Sequence, residues 1–394
     1  MELTLTEQQR MVVDTVRKFA EQEVAPQAEE ADREHRFNKD LFVKMTELGL
    51  LGITIPEEYG GMGEGMFLLA LVLEEISRCC MSTASALAAH YLAADPVCEF
   101  ANADQKERYL KGIAGGELLC AFALTEPNAG SDVSAISTMA RREGDEFVIE
   151  GRKCFITNGG VANLYLLLVR TEKAKGMAGI TAFLVENETP GFSYGKEEDK
   201  MGMRGSTNRE LIFENCRIPA GNLLGEDGQG WDVVKEALNR GRISTAAYAL
   251  GPGQAALEAS LRYANNRVQF GRPIGQFQGV QFMLADMANR ILGARLKIYH
   301  AATLADSGKR YEVEASMAKL SASDASMSVT TDGVQIHGGY GYMKDFPLER
   351  YMRDAKITQI VEGTNQIQRS LIGRMMQRGS TPGGGVMTWN VESG

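Results

Sequence analysis

One carboxylate, Glu362, stands in the stretch QIVEGTNQIQR (residues 359–369), between an apolar pair and a Gly-Thr-Asn break. A glutamate just ahead of a helix reads most simply as a solvated helix-start residue. Flanked by Val361 and Gly363 and covered by a ligand, it would instead lose water. Desolvation raises a carboxylate pKa toward the working pH of a general base. A helix start favours the charged form and opposes that rise, so the local residues leave the balance open.

Other segments carry or exclude chemistry. NRGR (residues 239–242) groups Asn239, Arg240 and Arg242; Arg240 reads equally as positive charge for phosphates or as a solvated helix face. CAFALTEP (residues 120–127) reads by itself as a buried strand with a Thr turn. GPGQAA (residues 251–256) superficially fits a dinucleotide fingerprint, but it lies between helical segments with no strand before it. GGMGEG (residues 60–65) lacks the Gly-Lys-Ser/Thr ending of a phosphate loop. The 4 histidines are far apart and the 6 cysteines form no CxxC pair, which argues against a metal site and for reduced thiols. A net charge of −9 with no basic block argues against nucleic acid. The N-terminus lacks the order of a signal peptide, and no apolar run is long enough to span a membrane. A cytoplasmic location is expected.

Three kinds of segment must position these residues. The 394 residues, 44% hydrophobic and 24% charged, suit a large globular chain. Residues 3–24 and 38–52 show polar caps followed by apolar residues at helical spacing, with Thr6 and Gln9 as a capping box. Residues 55–65 are a Pro/Gly loop, and helical patterns resume through residue 116. Near residue 120 the period falls to two: residues 145–151, 164–170, 180–186 and 209–215 read as strands, Gly144-Asp145 as a hairpin connection, and the whole as an antiparallel sheet or barrel. Beyond residue 231 long helical patterns return, with small residues that permit close packing. The expected domains are 1–119 helical, 120–230 β, 231–378 helical, and a Gly-rich flexible tail, 379–394, containing Trp389.

Taken in that order, CAFALTEPNAGSD (residues 120–132), CFITNGG (154–160), NNRVQFGRPIGQFQGVQ (265–281), QIHGGYGY (335–342) and RDAKITQIVEGTNQIQR (353–369) resemble the acyl-CoA dehydrogenase family. The resemblance runs from residue 3 to about residue 377. It implies a mainly α fold with a central β domain: an N-terminal helical domain, a middle β-barrel-like domain and a C-terminal four-helix bundle. It also implies FAD and a homotetramer. Glu362 matches the family's base, and its backbone N–H the donor to the thioester oxygen, beside a ribityl hydroxyl of FAD. Some members carry the base in the segment matching ALNRGRIST, where this chain has Gly241, which cannot serve; this places the chain nearer the straight-chain, short- and medium-chain members.

By the same resemblance, Phe122 and Leu124 wall the flavin ring and Thr125 bonds its pyrimidine edge. Phe155 stacks near the ring and Thr157 bonds near N5; many relatives have Trp where this chain has Phe155, which keeps the stacking face but loses an N–H donor. Arg267 and Gln278 reach the FAD of a neighbouring subunit, with Phe270 packed near it. Gln335, Gly338 and Gly339 approach the adenosine half, and Thr364 and Gln366 the ADP part. Ser131, at the cofactor and pantetheine, Asn239, Arg242 and Gly363 fall on the substrate side; relatives often show Asp where this chain has Asn239, which weakens a CoA contact there.

The implied reaction is FAD-dependent α,β-dehydrogenation of an acyl-CoA to the trans-2-enoyl-CoA in fatty acid metabolism. Glu362 takes the α proton, flavin N5 accepts the hydride, and electrons pass to an electron-transferring flavoprotein. The alternatives are an enoyl-CoA reductase or acyl-CoA oxidase on the same scaffold, or a catalytically silent flavin- or acyl-CoA-binding protein. The acyl group is open: straight, branched, cyclic and aromatic chains all fit the sequence. His90 and Asp95, in the segment 82–96 that would set pocket depth, are unusual for an aliphatic wall.

Overall fold

The Thr6 hydroxyl accepts from Gln9 N while the Gln9 side chain accepts from Thr6 N, and this capping box starts α1 (Glu7–Phe19). The computed structural model describes residues 5–378. After α1 come α2 (Ala28–Glu34), α3 (Lys39–Glu47), α4 (Met66–Cys79), α5 (Met81–Phe100) and α6 (Ala103–Ala114). Asn38 caps α3 through Leu41 N, as its position before the periodic residues predicts. The 55–65 loop contains one short helical turn, Glu57–Tyr59.

The middle of the chain supplies β1 (Cys120–Ala123), β2 (Met139–Glu143), β3 (Glu146–Thr157), β4 (Leu164–Arg170), β5 (Ile180–Glu186), β6 (Phe192–Glu197), β7 (Asn208–Pro219) and β8 (Leu223–Leu224). They form one sheet of order β6-β7-β3-β2-β4-β5-β8, with β1 on β4. Gly144 and Asp145 join β2 to β3 in an antiparallel hairpin. The sheet is mixed rather than purely antiparallel: β1 pairs with β4 in parallel, because it enters directly from the helical region, and one β2–β4 bridge is parallel too. Leu164, Leu166 and Leu168 of β4 face α5 and α6, while Tyr165, Leu167 and Val169 face an inner core formed with Phe183 and Phe213. Burial on both faces explains why β4 reads as a continuous apolar run.

The last part is α7 (Gly230–Asn266), a hairpin of β9 (Val268–Gln269) and β10 (Arg272–Pro273), α8 (Gln278–Asp306), α9 (Glu312–His337), α10 (Gly339–Tyr342), α11 (Leu348–Ile357) and α12 (Asn365–Gln377). α9 packs against α7, α8, α11 and α12. Its buried Ala315, Ser316, Ala318, Ala322 and Ser323 let the neighbouring backbones approach. The GPGQAA run lies inside α7, where a Cβ on Gly251 would stand 2.4 Å from the Ser77 backbone of α4. Its glycine serves helix packing, not a nucleotide. Trp389 and the tail lie outside the described residues.

Candidate active site

Between α11 and α12 the chain makes a tight turn, with Val361 N donating to Ile357 O at 3.0 Å and Asn365 N to Gln359 O at 3.0 Å. Thr364 caps α12 by accepting from Ile367 N. Glu362 sits at the crown with φ +53°, followed by Gly363 at φ +85°. A left-handed glutamate is held only where its surroundings over-determine it. Here the Gln368 side chain donates to Glu362 O (3.0 Å) and Gly363 O (2.9 Å), and Lys319 of α9 donates to Gly363 O (2.9 Å). Residues 361–364 are partly exposed, but Glu362 Oε2 is shielded from solvent and has no hydrogen-bond partner. It points at α7: a Cβ on Gly241 would lie 3.0 Å from it and 2.7 Å from Leu92 Cδ1 of α5.

Burial pushes the Glu362 carboxyl up to about 7, against the pull of Arg242 and then Lys319. Desolvation therefore outweighs both cations. A carboxyl titrating near neutrality can both take and return a proton. Burial pushes the Lys319 ammonium down to about 8, with Glu362 opposing the shift. The Arg242 guanidinium is buried and held below its ordinary value by desolvation, with Glu362 raising it. Arg242 Nη1 donates to Asn239 Oδ1 at 2.6 Å, and its Nε has no partner. Arg242, expected on the CoA side, is 7% exposed and feels the charge of the Glu362 carboxylate. Arg240 is not a free solvated cation; it pairs with Glu236 (2.8 Å) and Asp95 (3.7 Å).

α5 connects this turn to the sheet. Near Leu92, His90 accepts from Cys120 N at the start of β1 and contacts Leu51 O; it stays neutral, pushed down to about 4 by burial. Asp95 accepts from Thr54 at 2.6 Å. Both unexpected polar residues of the segment 82–96 thus serve internal contacts. The Ala86 carbonyl receives Asn158 Nδ2 (2.9 Å), which also donates to Cys120 O (3.1 Å). Ala86 and Leu92 are about 9 Å apart along a helix, so Thr157 and Phe155, just before Asn158, share a region with Glu362.

Phe122, Leu124, Thr125, Phe155 and Thr157 gather at the ends of β1 and β3, where Cys154 N donates to Thr125 O at 2.9 Å. Thr157 accepts weakly from Asn208 (3.3 Å). Phe155 holds φ +59° and leaves its ring 61% exposed. Ser131 is exposed in the loop after this turn.

The remaining predicted residues lie elsewhere. Phe270 is 93% exposed with φ +52°; Arg267 is exposed and its guanidinium lies over the Tyr340 ring. Gln278, Gln335, Gly338 and Gly339 are exposed on the same side, and a Cβ on either glycine would meet open space. Along α9, Gln335 is about 24 Å from Lys319. One chain therefore does not bring this group to Glu362. Gln366 is exposed on the first turn of α12.

Sequence reasoning missed Lys319, Gln368, Asn158 and a buried ion pair. Lys153 Nζ, fully buried in β3, contacts Glu126 at 2.7 Å and donates to Leu124 O at 3.0 Å. Burial raises the Glu126 carboxyl, but Lys153 and donors from Ser137 and Thr138 pull it down to about 2, while burial lowers Lys153 to about 8. The pair stays ionised at neutral pH and pins the Leu124–Glu126 turn. The available signals were a lysine inside an apolar strand and another inside an Ala/Ser-rich helix. Among the described residues, no group of three or more His, Cys, Asp or Glu is placed to hold a metal.

Three family models match in chain order: acyl-CoA dehydrogenase N-terminal domain at residues 6–117, middle domain at 121–216 and C-terminal domain at 228–377. The chain is 47% identical over 380 residues to a protein named acryloyl-CoA reductase (NADH) from Anaerotignum propionicum, covering 96% of each chain. A solved structure described as the electron transferring flavoprotein of Acidaminococcus fermentans superposes with a TM-score of 0.95 at 49% identity, over 96% of this chain and 100% of that one. Butyryl-CoA dehydrogenase from Megasphaera elsdenii superposes with a TM-score of 0.94 at 43% identity, over 96% of this chain and 100% of that one.

Proposed function

The chain belongs to the acyl-CoA dehydrogenase family, and from that premise we propose Glu362 as the base that removes the α proton of a bound acyl-CoA. The protein carries out FAD-dependent α,β-dehydrogenation of an acyl-CoA thioester to the trans-2-enoyl-CoA, with an electron-transferring flavoprotein as electron acceptor. The observation that carries the assignment is the Glu362 carboxylate: its Oε2 is shielded from water and without a protein partner, and its pKa is raised to about 7.

The residues present fit a flavin dinucleotide. Phe155 and Phe270 turn their rings outward on left-handed backbone, Asn158 Oδ1 and Thr207 Oγ1 are buried without partners, and Gly338 and Gly339 leave their backbone open to close approach. Phe122, Leu124, Thr125, Phe155 and Thr157 would hold the ring end; Thr364 and Gln366 the ADP part. Bound FAD supplies the acceptor for the hydride leaving the β carbon. The chain's own contribution is position and charge. Among the described residues the Glu362 N–H has no protein acceptor, so it is free to donate to the thioester oxygen and stabilise charge developing there. Ser131, Asn239 and Gly363 border the substrate side, and Arg242 acts as the counter-charge to Glu362.

Arg267, Phe270, Gln278, Gln335, Gly338 and Gly339 would complete the cofactor site of a neighbouring subunit, in a homotetramer. Their exposure and their distance from Glu362 along α7 and α9 support that reading. A cytoplasmic setting is proposed with it, and cell fractionation tests it; no helix among the described residues is long and apolar enough to cross a membrane.

The reductase name of one close relative favours a second direction, in which the protonated Glu362 returns its proton to the α carbon. Anaerobic mixing separates the readings. Bleaching of the flavin by butyryl-CoA supports dehydrogenation; consumption of NADH with acryloyl-CoA supports reduction; peroxide release in air marks an oxidase. Flavin left unbleached by a full acyl-CoA panel, with no NADH consumed on enoyl-CoAs, would sink both enzymatic readings. Glu362→Gln should keep its colour and lose bleaching.

A further inference from the structure

We propose that Lys319 is the positioning residue of this site: it holds the Glu362 turn in its left-handed form and supplies positive charge beside the buried carboxylate. The inference rests on Glu362 being the base. Lys319 lies in α9, is fully buried, and donates to Gly363 O and to Asn365 Oδ1, both at 2.9 Å. Asn365 is fixed in turn, bonding Ser323 (2.9 Å) and Asp324 (2.7 Å) through its Nδ2. One ammonium thus ties the residue after the base and the first residue of α12 to the central helix.

The charge on Lys319 needs compensation, because a buried ammonium bonded only to neutral acceptors is costly. Two anions face it, Glu362 from the turn and Asp324 from α9, and one cation, Arg242 from α7. Asp324 is already engaged: its Oδ1 accepts from Gln359 and Asn365, both at 2.7 Å, and its Oδ2 from Arg369 at 2.9 Å. Glu362 Oε2 has no such partner. Facing Glu362 are Arg242 and Tyr248 from α7 and Lys319 from α9. Arg242 has its own anchor in Asn239. Among the described residues, Lys319 alone both touches the turn and faces the carboxylate.

The test compares FAD-loaded wild type, Lys319→Gln and Lys319→Arg with butyryl-CoA across pH. Gln keeps an N–H donor for the Gly363 carbonyl and loses the charge; Arg keeps the charge. In Lys319→Gln the acid limb of kcat/KM should move to higher pH by about one unit, since an opposite charge a few ångströms away lowers a carboxyl pKa by about 1–3 units. In Lys319→Arg it should stay with wild type while kcat falls. The same upward shift should appear in the pH at which the ligand-free protein loses thermal stability as Glu362 ionises. An unmoved limb in Lys319→Gln, with rates depressed equally at every pH, would overturn the proposal and leave Lys319 a packing residue. Should Lys319→Gln fail to fold, a limb shifted in Lys319→Arg would overturn it instead. Glu362→Gln separates the two claims: activity retained there sinks the base itself, whereas loss there with an unmoved Lys319→Gln limb sinks only this inference.

Discussion

Gly241 and Glu362 meet face to face: a Cβ built on Gly241 would stand 3.0 Å from the carboxylate Oε2, with Leu92 Cδ1 at 2.7 Å on its other side. A side chain there would crowd the acid and press on the flexible end of Leu92. Gly241→Ala should therefore lower kcat/KM, by less than the ~10²-fold of a ~1 Å misplacement, because the acid need give only a few tenths of an ångström. Adding Leu92→Ala makes room, and recovery of rate in the double variant is the check. Unchanged kcat/KM in Gly241→Ala would mean the carboxylate is not held against α7.

Replacing Glu362 by Gln removes a positioned base, which typically supplies about 10²–10⁴-fold. Stopped-flow reduction by butyryl-CoA should slow by that factor while flavin content stays normal. A comparable rate in the variant would mean that another group takes the α proton.

The same variant should gain stability at high pH. The Glu362 pKa rises from 4.5 to about 7 on folding. The folded state therefore holds this proton more tightly, and the associated stability is present below about 4.5 and lost as pH rises through about 7. At one pKa unit per 1.36 kcal/mol the loss is at most about 3 kcal/mol. Glutamine has no such loss, so its melting temperature should exceed that of wild type above pH 7 and the gap should close toward pH 5. A constant gap would assign the effect to packing.

Lys153→Met leaves Glu126 buried without its cation. Breaking a buried pair in this way costs about 3–5 kcal/mol. Because Lys153 also holds the Leu124 carbonyl, flavin content should fall with melting temperature. Lys153→Met with Glu126→Gln should be less destabilised than the single variant, which denaturant titration would reveal.

Arg267 should act in trans. Arg242 and the last residue of α7, Asn266, are about 36 Å apart on one helix. Arg267→Ala should weaken FAD retention without unfolding, and mixing Arg267→Ala subunits with Glu362→Gln subunits should restore activity that neither has alone. Failure of the mixed subunits to recover activity would place Arg267 and Glu362 in the same site or outside it.

The local elements were legible because their causes are local. The Thr6–Gln9 box, the Asn38 cap and the spans of β4 and β5 follow from residue types a few positions apart. The parallel β1–β4 pair was not, since it joins strands far apart in sequence with an antiparallel hairpin between them. The resemblance put Arg242 on the CoA side; its burial beside the charge of Glu362 was not legible, because a sequence does not show which way a helix cation faces.

Residue types alone determined that Glu362 stands in a turn before a helix and that a helical, β, helical order surrounds it; the family resemblance added that Gly241 offers no competing acid. Only the tertiary structure decided how that acid behaves. Its pKa depends on water excluded by α5, α7 and α9 and on charges at Arg242 and Lys319; the clamp on its turn spans 44 positions, from Lys319 to Gly363. Desolvation and Coulomb energy depend on distance in space, and those distances exist only once the helices have packed.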